Sequence, residues 1–236
     1  MRSHRWSPDS KRIAIFHEDI KDTRKVNIPY FEREDIVLKE YRRDFTVDLI
    51  NEKKVGIVEI TEGKIKWIDL KFENLITLAW SPSGEKLLME DSFEYADKRN
   101  LYIAKMSDLK ISIVYHEENP RNTFSWMWGS GWLDDNQLAL TSDKDGFCHL
   151  YSLDLRNKEL KQLTSGKWEV FRIYPTSGRD VYFIANKIRP ENRDLFKVNT
   201  KNGKIERVVD KDGVYMPFIS NSGQNVCVLF SDDDSL

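Results

Sequence analysis

The chain has no run of about 18 apolar residues, the length a membrane-crossing helix needs, so no helical span is expected. Its 236 residues contain only two cysteines, too few for a disulfide-stapled scaffold. Cys148 and Cys227 both lie in alternating strand patterns and read as small buried hydrophobes, with a disulfide between them as the alternative. An excess of one charge sign is also missing. Thirty-seven basic residues face 39 acidic ones, a formal net charge of −2, which argues against a nucleic-acid footprint or an acidic tail. Gly and Pro are too sparse for a disordered chain.

Chemical signatures are equally scarce. There is no G-x-S-x-G nucleophile elbow, and no glycine-rich phosphate cradle follows a strand. Gly129-Ser130-Gly131 lacks the elbow spacing and reads as a tight or flexible turn. The histidines His4, His17, His116 and His149 are scattered without metal-ligand spacing, and Asp232-Asp233-Asp234 reads as a solvated loop. No catalytic residue, metal or cofactor is expected. The segment Met1–Pro8 has no apolar signal region, so the protein is either cytosolic or preceded by a targeting signal.

Aromatic residues are plentiful, 12% of the chain with seven tryptophans, which favours a β architecture in which large rings fill the space between sheets. An aromatic or apolar residue, a short turn and a β-prone run recur at WSPDSKRIAIF from Trp6, WSPSGEKLLME from Trp80, YPTSGRDVYFIAN from Tyr174 and ISNSGQNVCVLF from Ile219, with a looser copy from Trp132. The later copies are about 40–50 residues apart, the length of one four-stranded propeller blade. Repetition of this kind favours a propeller over a generic β-sandwich.

The predicted fold is therefore all-β: one partial β-propeller domain over residues 1–236, with about three full four-stranded blades and incomplete blades at both ends. A first blade remnant runs from Arg5 to about Lys25, closed by a hairpin of Gly56–Ile60 and Lys64–Leu70. Fuller blades follow near Leu75–Glu118, Phe124–Thr164 and Val170–Asp210, and a fifth begins at Tyr215 and stops after two strands. An open arc leaves terminal faces and strand edges uncovered, so self-association through open blade edges is expected. Residues 26–54, dense in charge with Tyr30, Phe31, Tyr41 and Phe45 spaced among them, read as a surface excursion whose rings pack on the propeller, with a partner-binding arm as the alternative.

The segment Phe124–Trp132 holds Trp126, Trp128, Trp132 and Phe124 within nine positions, more rings than one strand face can bury. Trp132 occupies the repeat position and reads as inter-blade packing. Trp126, Trp128 and Phe124 are the candidates for lining a loop or channel.

The stretch SDKDGFCHLYSLDL followed by QLTSGKWEV, together with RWSPDSKRIAIF and YFIANKIRPENRDLFKV, resembles the N-terminal β-propeller of dipeptidyl peptidase IV-like (S9, prolyl oligopeptidase clan) serine peptidases. The likeness covers most of the chain, best from Leu75 to Val209. At Lys39–Arg43 the chain lacks the Pro and Gly of the Arg-Tyr-Pro element that the family often carries there. The resemblance implies that the catalytic Ser, Asp and His lie in a following α/β-hydrolase domain outside this chain. It also implies that the paired glutamates holding a substrate amino group in the aminodipeptidase subgroup lie upstream of Trp6. In the family the loop at Trp126 contributes an aromatic wall to the substrate pocket. The expected function is a non-catalytic propeller region that gates and lines access of short peptides to the hydrolase domain, with a periplasmic or extracytoplasmic location. The parent is expected to be a serine-type peptidase. The alternative is a free-standing propeller scaffold of the TolB or WD40 kind that binds protein partners.

Overall fold

The computed structural model describes residues 4–32, 35–42, 51–93, 97–118, 129–176, 178, 180–211, 213–220 and 222–231. Its strands form four antiparallel four-stranded sheets and two two-stranded ones, the architecture of a partial propeller. Blade 1 contains β1 (His4–Trp6), β2 (Arg12–Glu18), β5 (Lys53–Glu59) and β6 (Lys64–Trp67). The short β1 completes it. Blade 2 is β7 (Asn74–Trp80), β8 (Lys86–Phe93), β9 (Lys98–Lys105) and β10 (Ile111–Glu118), and blade 3 is β11 (Ser130–Asp134), β12 (Gln137–Ser142), β13 (His149–Asp154) and β14 (Leu160–Gln162). Blade 4 is β15 (Val170–Pro175), β16 (Asp180–Ala185), β17 (Asp194–Asn199) and β18 (Ile205–Arg207); β19 (Val214–Ile219) and β20 (Val226–Ser231) form the last pair.

In three of the repeats the opening turn is built by one serine hydroxyl. Ser7 Oγ accepts from the Arg12 amide at 2.9 Å, Ser81 Oγ from Lys86 at 3.1 Å and Ser220 Oγ from Asn225 at 3.1 Å. Three residues after each serine the backbone is left-handed, at Gly84 (φ 75°) and Gly223 (φ 71°), which suits glycine. Ser10 takes the same conformation in the first repeat (φ 59°).

Strand periodicity divides the core among the blades. Leu87 and Met89 of β8 join a cluster with Ala14, Val55 and Ile57 of blade 1, while Leu88 between them joins Leu138 and Leu140 of blade 3. Val181, Phe183 and Ala185 of β16 pack toward blade 3, and Tyr182 and Ile184 toward Tyr215 of the last pair. Each of the Val, Leu, Ile, Met and Phe side chains among these contributes roughly 1.5–3 kcal/mol by leaving water. Tryptophans tie the blades together: the Trp80 indole donates to the Arg5 carbonyl at 2.9 Å and the Trp132 indole to the Ala79 carbonyl at 3.0 Å. Each acceptor immediately precedes the repeat tryptophan of the neighbouring blade. Trp6, first of the series, is 53% exposed.

Three expectations are corrected. Two strands, β3 (Lys25–Glu32) and β4 (Asp35–Arg42), pair as an antiparallel ribbon inserted between β2 and β5. Its rings do not lie on the propeller: the Tyr30 and Tyr41 hydroxyls meet at 3.2 Å and Phe31 is 78% exposed, because a two-stranded ribbon has no sheet behind it. Arg42 anchors its base by donating to the Lys21 and Thr23 carbonyls. Phe45 lies outside the described residues. Cys227 is exposed rather than buried, since it belongs to the terminal pair β19–β20; Cys148 is buried, and both are free thiols. Ser130 and Gly131 lie in β11 rather than in a turn, and a Cβ at Gly131 would come 2.8 Å from Pro175 Cγ of blade 4. That glycine permits close approach of two inner strands.

Two measurements check this packing. Replacing Trp80 with Phe removes the indole donor and is expected to lower stability by about 1 kcal/mol in urea unfolding, whereas Trp6→Phe should change it by no more than about 0.5 kcal/mol. Equal losses would contradict the tie between blades. Burial, followed by the nearby Glu169 charge, holds the Cys148 thiol above its ordinary pKa. Native protein should therefore take up one equivalent of thiol reagent, at Cys227, and a second only on unfolding.

Candidate functional site

Blade 2 breaks its apolar pattern at one end, where β8, β9 and β10 carry Glu90, Arg99 and Glu117. Arg99 and Glu90 are fully buried and Glu117 nearly so. Cross-strand pairing sets Arg99 opposite Glu117 and Thr77 opposite Glu90. The guanidinium donates to Glu117 through Nε (2.8 Å) and Nη2 (2.5 Å), to Glu90 through Nη1 (2.8 Å), and to the Thr141 carbonyl of blade 3. Burial opposes the positive charge, but Glu117 and then Glu90 outweigh it and hold the Arg99 pKa above its ordinary value.

One cation between two carboxylates leaves an excess negative charge, which hydroxyl donors disperse. Thr77 Oγ1 (2.9 Å) and Ser130 Oγ (2.6 Å) donate to Glu90, and Ser142 Oγ donates to Glu117. Ser130 and Ser142 come from blade 3, so the cluster spans the interface between two blades. The Gly129 amide donates to Thr141 Oγ1 at 2.9 Å, and the Thr141 amide to the Gly129 carbonyl at 3.0 Å. The connection between blades 2 and 3 thus leaves from Glu117 and returns at Gly129 and Ser130, with the residues at both its ends held in this network.

Phe124, Trp126 and Trp128, the residues singled out for a pocket wall, belong to that connection and lie outside the described residues. Trp132 packs between blades, as its repeat position indicates. Glu90, Arg99, Glu117 and Thr141 are absent from the sequence expectations. Their one visible signal is ionisable groups interrupting apolar strands, Leu88-Met89-Glu90-Asp91 and Arg99-Asn100-Leu101. Two of the histidines make packing contacts: His149 is buried, its Nε2 donating to the Gly166 carbonyl at 3.0 Å, and His17 packs edge-on against Trp67.

Beside the cluster lies a groove of about 710 Å³, walled by the first strands of the blades: Ile76–Ala79 of β7, Gly129 and Ser130, Phe171–Tyr174 of β15 and Val214–Met216 of β19. Arg5 and Arg193 also line it. Arg193 lies over the Phe171 ring at 3.8 Å and Arg172 over the Tyr174 ring at 5.8 Å. Burial raises the Tyr174 phenol pKa, with Arg172 acting in opposition. Apolar walls with a few fixed polar groups are the make-up of a small-ligand site, and the volume falls within the range of about 300–1,000 Å³ for such sites.

The family model for the dipeptidyl peptidase IV N-terminal region matches residues 1–235. A relative from Arthroderma benhamiae, named Probable dipeptidyl-aminopeptidase B, is 36% identical over 74 residues, covering 29% of this chain and 8% of its own length. Prolyl endopeptidase FAP from Mus musculus is 20% identical over 233 residues, covering 84% of this chain and 29% of the relative. The crystal structure of Porphyromonas gingivalis dipeptidyl peptidase 4 superposes with a TM-score of 0.78 at 15% identity, over 95% of this chain and 33% of that one. The chain thus spans a third or less of the length of these three relatives.

The cluster makes a sharp energetic forecast. Arg99→Met strands two buried carboxylates and is expected to cost about 3–5 kcal/mol in denaturant unfolding. Adding Glu90→Gln and Glu117→Gln should restore at least half of that loss. If the single change costs less than about 1 kcal/mol, the guanidinium does not hold the blades together.

Proposed function

The chain belongs to the family of dipeptidyl peptidase IV N-terminal regions, and we propose that it acts as the non-catalytic propeller of a serine peptidase of that family. In this reading residues 1–236 are one partial propeller domain with an excursion at about 26–54, and the hydrolase domain lies outside this chain. The propeller gates and lines the approach of short peptides. Its contribution is steric exclusion together with part of the pocket wall, and chemistry belongs to the hydrolase domain.

The groove on the first strands carries the reading. Its size suits a peptide of a few residues and excludes a folded domain. The ionic cluster supports it further, because it fixes Gly129 and Ser130 at the groove wall where the tryptophan-rich connection rejoins the sheet. Phe124, Trp126 and Trp128 are proposed to extend that wall. The exposed apolar side chains Met216, Phe218 and Leu229 of β19 and β20 support contact with further protein surface, including self-association through the open edge. The family resemblance favours a periplasmic or extracytoplasmic location. No helix among the described residues is long and apolar enough to cross a membrane.

The test uses the full-length parent enzyme with X-Pro and X-Ala chromogenic peptides. The parent is expected to cleave these and spare folded proteins. Trp126→Ala or Trp128→Ala should change kcat/KM by about tenfold, ~1.4 kcal/mol, with little loss of stability. A loss of about 3–5 kcal/mol in stability with unchanged kinetics would instead make those tryptophans packing residues, and a parent without peptidase activity would remove the gating role.

A further inference from the structure

The groove is positively charged although the chain as a whole carries a formal net charge of −2. No aspartate or glutamate lines it, whereas Arg5, Arg172 and Arg193 do. Its polar wall residue Ser130 donates to the buried Glu90, so that hydroxyl proton is committed away from a ligand. The arginines are then the charged groups that a ligand meets.

Of these three, Arg193 is the most revealing. Its guanidinium stacks on Phe171 at 3.8 Å, and Nη1 donates to the Pro190 carbonyl (3.0 Å) and the Asn192 carbonyl (2.7 Å). Stacking and two backbone bonds fix the plane of the group. The Nε–Nη2 edge has no acceptor among the described residues, and two parallel N–H groups on one edge form the fork that a carboxylate accepts. Arg172 is exposed, has no carboxylate partner among the described residues and lies over Tyr174 in the same groove. Such groups, positioned before a ligand arrives, lose little freedom on binding.

We propose that the groove binds a peptide through a carboxylate, held on the Nε–Nη2 edge of Arg193 with Arg172 supplying a second positive charge. The inference rests on the reading that the groove takes short peptides, and it adds what part of the peptide is recognised. Two sources share this chemistry, a C-terminal carboxylate and an acidic side chain.

Calorimetric titration of the 236-residue chain separates them with three N-acetylated peptides: Ala-Ala-Ala with a free C-terminus, Ala-Ala-Glu amide and Ala-Ala-Gln amide. At least one of the first two is expected to bind about tenfold more tightly than the third, and whichever binds identifies the source. Arg172→Gln and Arg193→Gln should each remove about tenfold of that preference, and Arg193→Lys, which keeps the charge but loses the fork, should fall between. Circular dichroism melting of each variant establishes that it is folded. Equal binding of all three peptides overturns the carboxylate inference while leaving the peptide groove intact. Glutarate binding as tightly as the acidic peptides supports the carboxylate site and counts against the peptide reading. No saturable binding by the folded chain overturns the proposal.

Discussion

A β-sheet whose two faces are both apolar is unstable until something lies on each of them, and every blade here is built that way. Leu87 and Met89 enter one inter-blade core while Leu88 enters the next, so β8 cannot be satisfied by a single neighbour. The same division recurs at β16. Stability is consequently a property of adjacent pairs, and it falls off where the series of described blades stops. There the chain exposes what its interior covers: Trp6 and Trp67 on blade 1, and Met216, Phe218 and Leu229 on the last two strands. The Trp80 and Trp132 indoles add direction to this otherwise nonspecific burial, because a hydrogen bond to one backbone carbonyl fixes how far each blade slides along the next.

The ionic cluster is a place in the interface of blades 2 and 3 where burial is not apolar. A lone buried guanidinium would be very costly, and two carboxylates alone more so. The arrangement is tolerable because each oxygen and most donors are matched, with hydroxyls from both blades turned toward the carboxylates. Such a cluster adds less net stability than hydrocarbon of equal volume, but it admits only one relative placement of its parts. It lies where the longest connection between described blades begins and ends, so geometric definition is concentrated beside the segment with the most aromatic rings.

Much of the architecture is readable from the chain because turns repeat. The serine that accepts its own turn amide and the residue three places on with positive φ are local features, visible in WSPDS, WSPSG and ISNSG without knowledge of tertiary contacts. The cluster is not readable in this way. A bulge between Ile113 and Tyr115 shifts the register of β10, and without it His116 rather than Glu117 would stand opposite Arg99. Simple alternation therefore assigns Glu117 to the wrong face. The hairpin of β3 and β4 escaped for a different reason: paired only with each other, its two strands need no buried face, and the alternation of Val26, Ile28 and Tyr30 is interrupted by Pro29.

Position within a blade also decides which residues are free to vary. In blades 2 to 4 the second strands are covered on both faces, so a change in β8, β12 or β16 alters an inter-blade core. First strands present part of their surface to the groove instead. In β15, Val170 is buried in the core shared with blade 3 while Arg172 is exposed. A substitution at Arg172 changes the charge of the groove without touching an interface, whereas one at Arg193 also disturbs the backbone bonds that end the connection between β16 and β17. The fold thereby separates the residues that hold it together from those that line the groove, and Arg172 belongs to the second group alone while Arg193 belongs to both.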